Sequence, residues 1–115
     1  MPRYLVVGGA GSLEVAPGKK LIDTPNFPAA YKPEAGAGGV FLDLLRGEKD
    51  IDWTFLSPSA LIGAGERTGK FRLGGDQLLT APDGKSSISY EDYAVALVDE
   101  LEKPAHSRRR FTVGY

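Results

Sequence analysis

The chain has 115 residues, 42% of them hydrophobic, no cysteine, and 14 Lys plus Arg against 15 Asp plus Glu for a net charge of -1. That length suits a single domain spanning 1–115, and the near-neutral balance gives no electrostatic ground for a nucleic-acid or acidic-membrane partner. Absence of cysteine excludes a disulfide scaffold and thiolate chemistry. No apolar run approaches the roughly 20 residues of a membrane span, and the N-terminus lacks a signal peptide's basic-then-apolar order, so the expected setting is cytoplasmic.

Tyr4-Leu5-Val6-Val7 is short, apolar and rich in β-branched residues, and it runs into Gly8-Gly9. It predicts a strand buried on both faces, as in a parallel sheet. Pro17-Gly18 is a turn signal between Leu13–Val15 and Leu21–Asp23, which are expected to pair as a small hairpin. Pro28 is placed near a helix start.

From about Ala29 to Arg46 the spacing is helical, with Val40, Phe41, Leu44 and Leu45 assigned to one face. Gly36, Gly38 and Gly39 weaken the first half by about 3 kcal/mol relative to alanine. Asp52–Leu56 reads as a second strand, ended by Ser57-Pro58. Strand, helix and strand then make a parallel, right-handed βαβ unit. Short strands are expected at Phe71–Leu73, Gln77–Leu79 and Ser86–Ser89. A helix follows over Tyr90–Leu101, capped by Ser89 with Asp92 three residues on. Its apolar stripe is Tyr90, Tyr93, Ala94, Leu97, Val98 and Leu101. Phe111–Val113 is the last strand, and no repeat or linker divides the chain.

Ligands of an open parallel sheet bind beyond the carboxyl ends of its strands. Those ends are Gly8-Gly9-Ala10-Gly11-Ser12 and Ser57-Pro58-Ser59-Ala60. Bare glycine backbone lets a flat ring approach closely. The glycines do not open a helix, however, as a pyrophosphate-binding turn requires.

Three segments carry a resemblance: Val6-Val7-Gly8-Gly9-Ala10-Gly11-Ser12-Leu13, Phe27-Pro28-Ala29-Ala30-Tyr31-Lys32 and Asp52–Pro58. With Gly65–Gly74 and Ile88–Ala94, their order resembles atypical short-chain dehydrogenases of the NADH-flavin reductase and biliverdin-reductase-B-like group. The resemblance implies an α/β fold, a partial Rossmann-like NAD(P)-binding domain with a mostly parallel sheet flanked by helices. It also implies that the chain corresponds to that domain's C-terminal half. The N-terminal dinucleotide-binding βαβ segments, with their Gly-x-x-Gly-x-x-Gly turn, have no match here.

By the same resemblance the cofactor is NADPH or NADH, and a flavin or quinone-like small molecule is the acceptor. Gly8, Gly9, Ala10, Gly11, Leu56, Ser57 and Pro58 would lie beside the cofactor, and Ser12 and Tyr31 would serve catalysis. Each of these residues has a plainer reading. Ser12 can be a turn serine, Ser57-Pro58 a strand terminator, and Trp53 and Phe55 core. Tyr31 lacks the lysine four residues on, where Ala35 stands, and Lys32 points elsewhere on the helix. Arg67 and Lys70 read as a solvated loop, His106 as a surface residue, and Arg108-Arg109-Arg110 as a solvated approach to the last strand. A noncatalytic binding or assembly module is the rival function. In either case an exposed sheet edge predicts a homo-oligomer or a chain supplying the absent half.

Overall fold

The computed structural model describes residues 3–25 and 27–115. Strands β1 (Arg3–Val7), β4 (Asp52–Ser57), β8 (Arg109–Gly114) and β6 (Arg72–Gly74) form one sheet in the order β1-β4-β8-β6. β1 and β8 both run parallel to the central β4, and only β6 is antiparallel. β2 (Glu14–Ala16) and β3 (Lys19–Lys20) make a hairpin, while β5 (Leu61–Gly63) pairs in parallel with β7 (Ser87–Ser89). The α-helices among the described residues are α1 (Lys32–Arg46) and α2 (Tyr90–Glu102).

Alternation along β4 divides the core between two faces. Trp53 and Phe55 pack with Leu42 and Leu45 of α1. Leu56 packs with Phe111, Val113 and Ile88, and with Tyr93 and Ala96 of α2. The result is an α/β fold, a mostly parallel sheet flanked by helices.

Several expectations need correction. β1 is an edge strand, not one buried on both faces: Tyr4 is 53% and Val7 66% exposed. The hairpin's second strand is Lys19–Lys20, and Leu21–Asp23 is a 3-10 turn. Gln77 contributes only an isolated bridge to Glu14.

In α1 the buried face is Leu42 and Leu45, whereas Val40, Phe41 and Leu44 stand in solvent. Its glycines do not shorten the helix, which is continuous from Lys32. The close approach to α1 is made by a glycine outside it: a Cβ on Gly11, in the loop after β1, would lie 2.9 Å from the Ala35 Cβ. In α2, Tyr90, Ala94, Val98 and Leu101 are exposed, and the buried positions are Asp92, Tyr93, Ala96 and Glu100. Ser89 caps α2 as expected, its hydroxyl accepting from the Asp92 amide at 3.0 Å.

Candidate functional site

The carboxyl ends of β1 and β4 open into a groove of about 770 Å³, with α1 along its side. Gly8, Gly9, Ala10, Gly11 and Ser12 form its floor, and Pro58, Ser59 and Leu61 one wall. Phe27, Tyr31, Ala35 and Phe41 form the other. Parallel pairing of β1 with β4 brings these segments together, since it matches Val7 with Leu56 and so aligns both strand ends.

Gly8 is required where it stands. A Cβ there would lie 2.0 Å from Phe55 Cε1, inside the ring's own contact distance. Gly9 differs, because a Cβ there would meet nothing within 4 Å. Its backbone is open to the groove.

The expected site residues separate into two groups. Gly8–Ser12, Tyr31 and Pro58 line the groove together. Leu56 and Ser57 are fully buried behind it and offer no surface to a ring. The Leu56 carbonyl instead accepts the Gly8 amide at 2.9 Å and the Tyr93 hydroxyl at 2.7 Å. Burial pushes the Tyr93 phenol well above its ordinary value, so it stays protonated and donating.

Arg110 reverses the expectation of a solvated basic cluster. It is 4% exposed and sits opposite Phe55 in the β4–β8 register. Its Nε donates to Asp76 Oδ1 at 2.9 Å, and its Nη1 donates to Ser12 Oγ at 2.9 Å and Ser57 Oγ at 3.2 Å. Nη2 donates to the Ser12 carbonyl at 3.2 Å. Asp76 also receives Arg46 at 2.8 Å, joining the end of α1 to β8. Burial lowers the guanidinium pKa, and Asp76 works against that. Sequence reasoning missed this cluster because three consecutive arginines look alike. The available signal was strand alternation, which turns neighbouring residues to opposite faces.

His106 is likewise not a free surface residue. Its ring stacks on Phe111 at 4.0 Å, and its Nδ1 lies 2.7 Å from the buried Glu100. Burial acts to raise the Glu100 pKa, but His106, the Ala105 amide and Arg3 outweigh it and hold the carboxyl low. Among the described residues no cluster of three or more His, Asp or Glu could hold a metal, and no helix is long and apolar enough to cross a membrane.

The groove's lining suits a flat apolar ring better than a phosphate. Its walls are mainly apolar and aromatic, and Glu34 is the one charged residue among the described lining residues. A pyrophosphate would find no cation there.

No model of a known protein family matches the chain. It is 51% identical over 114 residues to the uncharacterized protein YwnB of Bacillus subtilis (strain 168), a match covering 96% of this chain and 54% of that protein. A solved structure from Bacteroides thetaiotaomicron, provisionally named an epimerase, is 51% identical with a TM-score of 0.95, over 98% of this chain and 53% of that one. Another from Streptococcus pneumoniae TIGR4, provisionally named an NADH-flavin reductase, is 48% identical with a TM-score of 0.90, over 97% and 55%. A short-chain dehydrogenase/reductase from Veillonella parvula, solved in complex with NADP, is 19% identical with a TM-score of 0.61, over 98% and 49%, a likeness of fold alone. The chain thus spans about half the length of the proteins it matches. The likeness to these structures is one of α/β fold, with a mostly parallel sheet flanked by helices.

Proposed function

We propose that this chain forms the ring-binding side of an NAD(P)H-dependent oxidoreductase that reduces a flavin or quinone-like acceptor. The observation that supports this best is the groove itself, an apolar slot at the carboxyl ends of parallel strands with open Gly9 backbone on its floor. When bound, the reduced nicotinamide supplies a hydride which, with one proton from solvent, reduces the acceptor by two electrons. The protein's part is to hold both rings in register and exclude water. Phe27, Tyr31 and Phe41 provide flat apolar surface for stacking. Ser12 Oγ accepts from Arg110 and can direct its own proton to a ring oxygen or nitrogen. Tyr31 serves as a wall here, because Ala35 stands where a lysine would be needed to activate it.

The phosphates call for a second surface. We place it on a strand-and-helix unit that adds to the open edge of β1 and covers Val40 and Leu44 of α1. That unit corresponds to the portion of the longer relatives outside the match, on this polypeptide or on a separate one.

The test is calorimetric titration with NADPH, NADH and riboflavin. The chain is titrated alone and co-expressed with the part of YwnB outside the match. Saturable nucleotide binding and acceptor reduction are expected in the co-expressed assembly. A stable assembly that binds neither nucleotide nor riboflavin overturns the reading and leaves an assembly module, the rival role.

A further inference from the structure

We propose that Arg110 is a positioning residue that fixes Ser12 as a hydrogen-bond donor to the negative charge developing on the acceptor. The proposal rests on the oxidoreductase reading above. It adds a residue that lies outside the groove lining yet touches the groove through Ser12.

Arg110 is nearly inaccessible, and three of its four hydrogen bonds go to the uncharged oxygens of Ser12 and Ser57. Only the fourth meets a carboxylate, that of the half-exposed Asp76, which Arg46 shares. If holding β8 in place were the only requirement, apolar residues of similar volume would serve as well, because a buried ion pair adds little net stability. The arrangement has a chemical consequence at Ser12. With an oxygen lone pair engaged by Nη1, the hydroxyl proton must point elsewhere, and among the described residues it has no protein acceptor. Gly39 leaves space beside it: a Cβ there would be 3.8 Å from the Ser12 Cβ. The open direction is the groove, which Ser12 lines.

A guanidinium behind a hydroxyl also polarises it, making the proton a stronger donor. Hydride arrival places negative charge on the acceptor's ring oxygen or nitrogen until a proton follows. A donor already oriented there stabilises that charge without reorganisation. Arginine suits the position because it stays protonated when buried, and its planar fork reaches the Ser12 hydroxyl and carbonyl from adjacent nitrogens.

The experiment uses the co-expressed assembly with Ser12→Ala, Arg110→Lys and the double variant, each checked for an unchanged unfolding midpoint. Ser12→Ala is expected to lower kcat about 100-fold. Arg110→Lys should lower it about tenfold, with KM for the nucleotide within about twofold. In the Ser12→Ala background, Arg110→Lys should add less than about a twofold loss, as coupling through one group requires. A second readout needs no turnover: affinity for reduced riboflavin, anionic above neutral pH, relative to oxidised riboflavin should fall about tenfold in Arg110→Lys. Unchanged kcat and affinity ratio in that variant, or equal losses in both backgrounds, overturn the role of Arg110 alone. A wild-type assembly that binds no riboflavin and no nucleotide overturns the oxidoreductase reading and this proposal together.

Discussion

The Tyr93 hydroxyl on α2 and the Leu56 carbonyl at the end of β4 meet at 2.7 Å, on the sheet face opposite α1. Since the same carbonyl receives the Gly8 amide, one oxygen ties α2, the central strand and the glycine floor together. Tyr93→Phe keeps the ring and removes only the donor. Leu56 retains its bond from Gly8, so the cost should be modest, about 1 kcal/mol in urea unfolding. A loss near zero would show that the hydroxyl adds nothing to the junction.

Gly8→Ala tests the floor directly. The added methyl overlaps Phe55, a ring held by Leu42, Leu45 and Trp53, so the ring or the β1 end must move. We expect a destabilisation of about 1–3 kcal/mol, typical of an overpacked core. Gly9→Ala is the control, since it meets open space, and its unfolding midpoint should match the wild type. Equal midpoints for the two variants would contradict the close packing of Gly8 on Phe55.

What was legible in the sequence follows from which signals are local. β4 was readable because an apolar run stops at Ser57-Pro58, and α2 because Ser89 and a helical period mark it. The groove floor was readable as glycines at a strand end. The face of α1 was not: Val40, Phe41 and Leu44 have the right period, yet the side turned to the sheet is set by packing on Trp53 and Phe55. Nor was the edge position of β1, because an apolar strand does not reveal whether both its sides are covered. Arg110 and Asp92 escaped for a related reason. Their burial depends on partners more than 20 residues away in sequence, Asp76, Ser12 and Ser57 in one case, Thr68 and Tyr115 in the other.

Asp92 makes the stability acid-sensitive. Its carboxylate is fully buried and accepts from Tyr115, from the amides of Thr68 and Gly69, and from the Thr68 hydroxyl. Burial alone would raise its pKa, but these donors together bring it from the ordinary 3.8 down to about 2. A carboxyl depressed in the folded state stabilises fully above its unfolded pKa. That contribution is lost as pH falls through about 4 to about 2, and it amounts to about 2 kcal/mol. Asp92→Asn should be less stable at pH 7 and should flatten the wild type's acid dependence across that window. Identical pH profiles for the two proteins would remove Asp92 as the cause.

The open edge of β1 makes the last test. Among the described residues its outer backbone is unpaired and lies beside exposed Tyr4 and Val7, while Val40 and Leu44 leave an apolar face on α1. Exposed strand edges and contiguous apolar surface usually end up paired or covered. The isolated chain should therefore self-associate as its concentration rises, seen as a growing weight-average mass in sedimentation equilibrium. Val7→Lys places a charge on the edge and Leu44→Glu one on the helix face, and neither alters a buried contact, since both side chains are 66% exposed. Both variants should keep the wild-type unfolding midpoint at low concentration and lose the association. They should also fail to capture the co-expressed unit, because the same surface is assigned to it. A wild-type chain that stays monomeric at high concentration, with Val7→Lys and Leu44→Glu capturing that unit as well as the wild type does, would mean the surface is tolerated bare. The phosphate-binding partner would then have to be sought elsewhere on the fold.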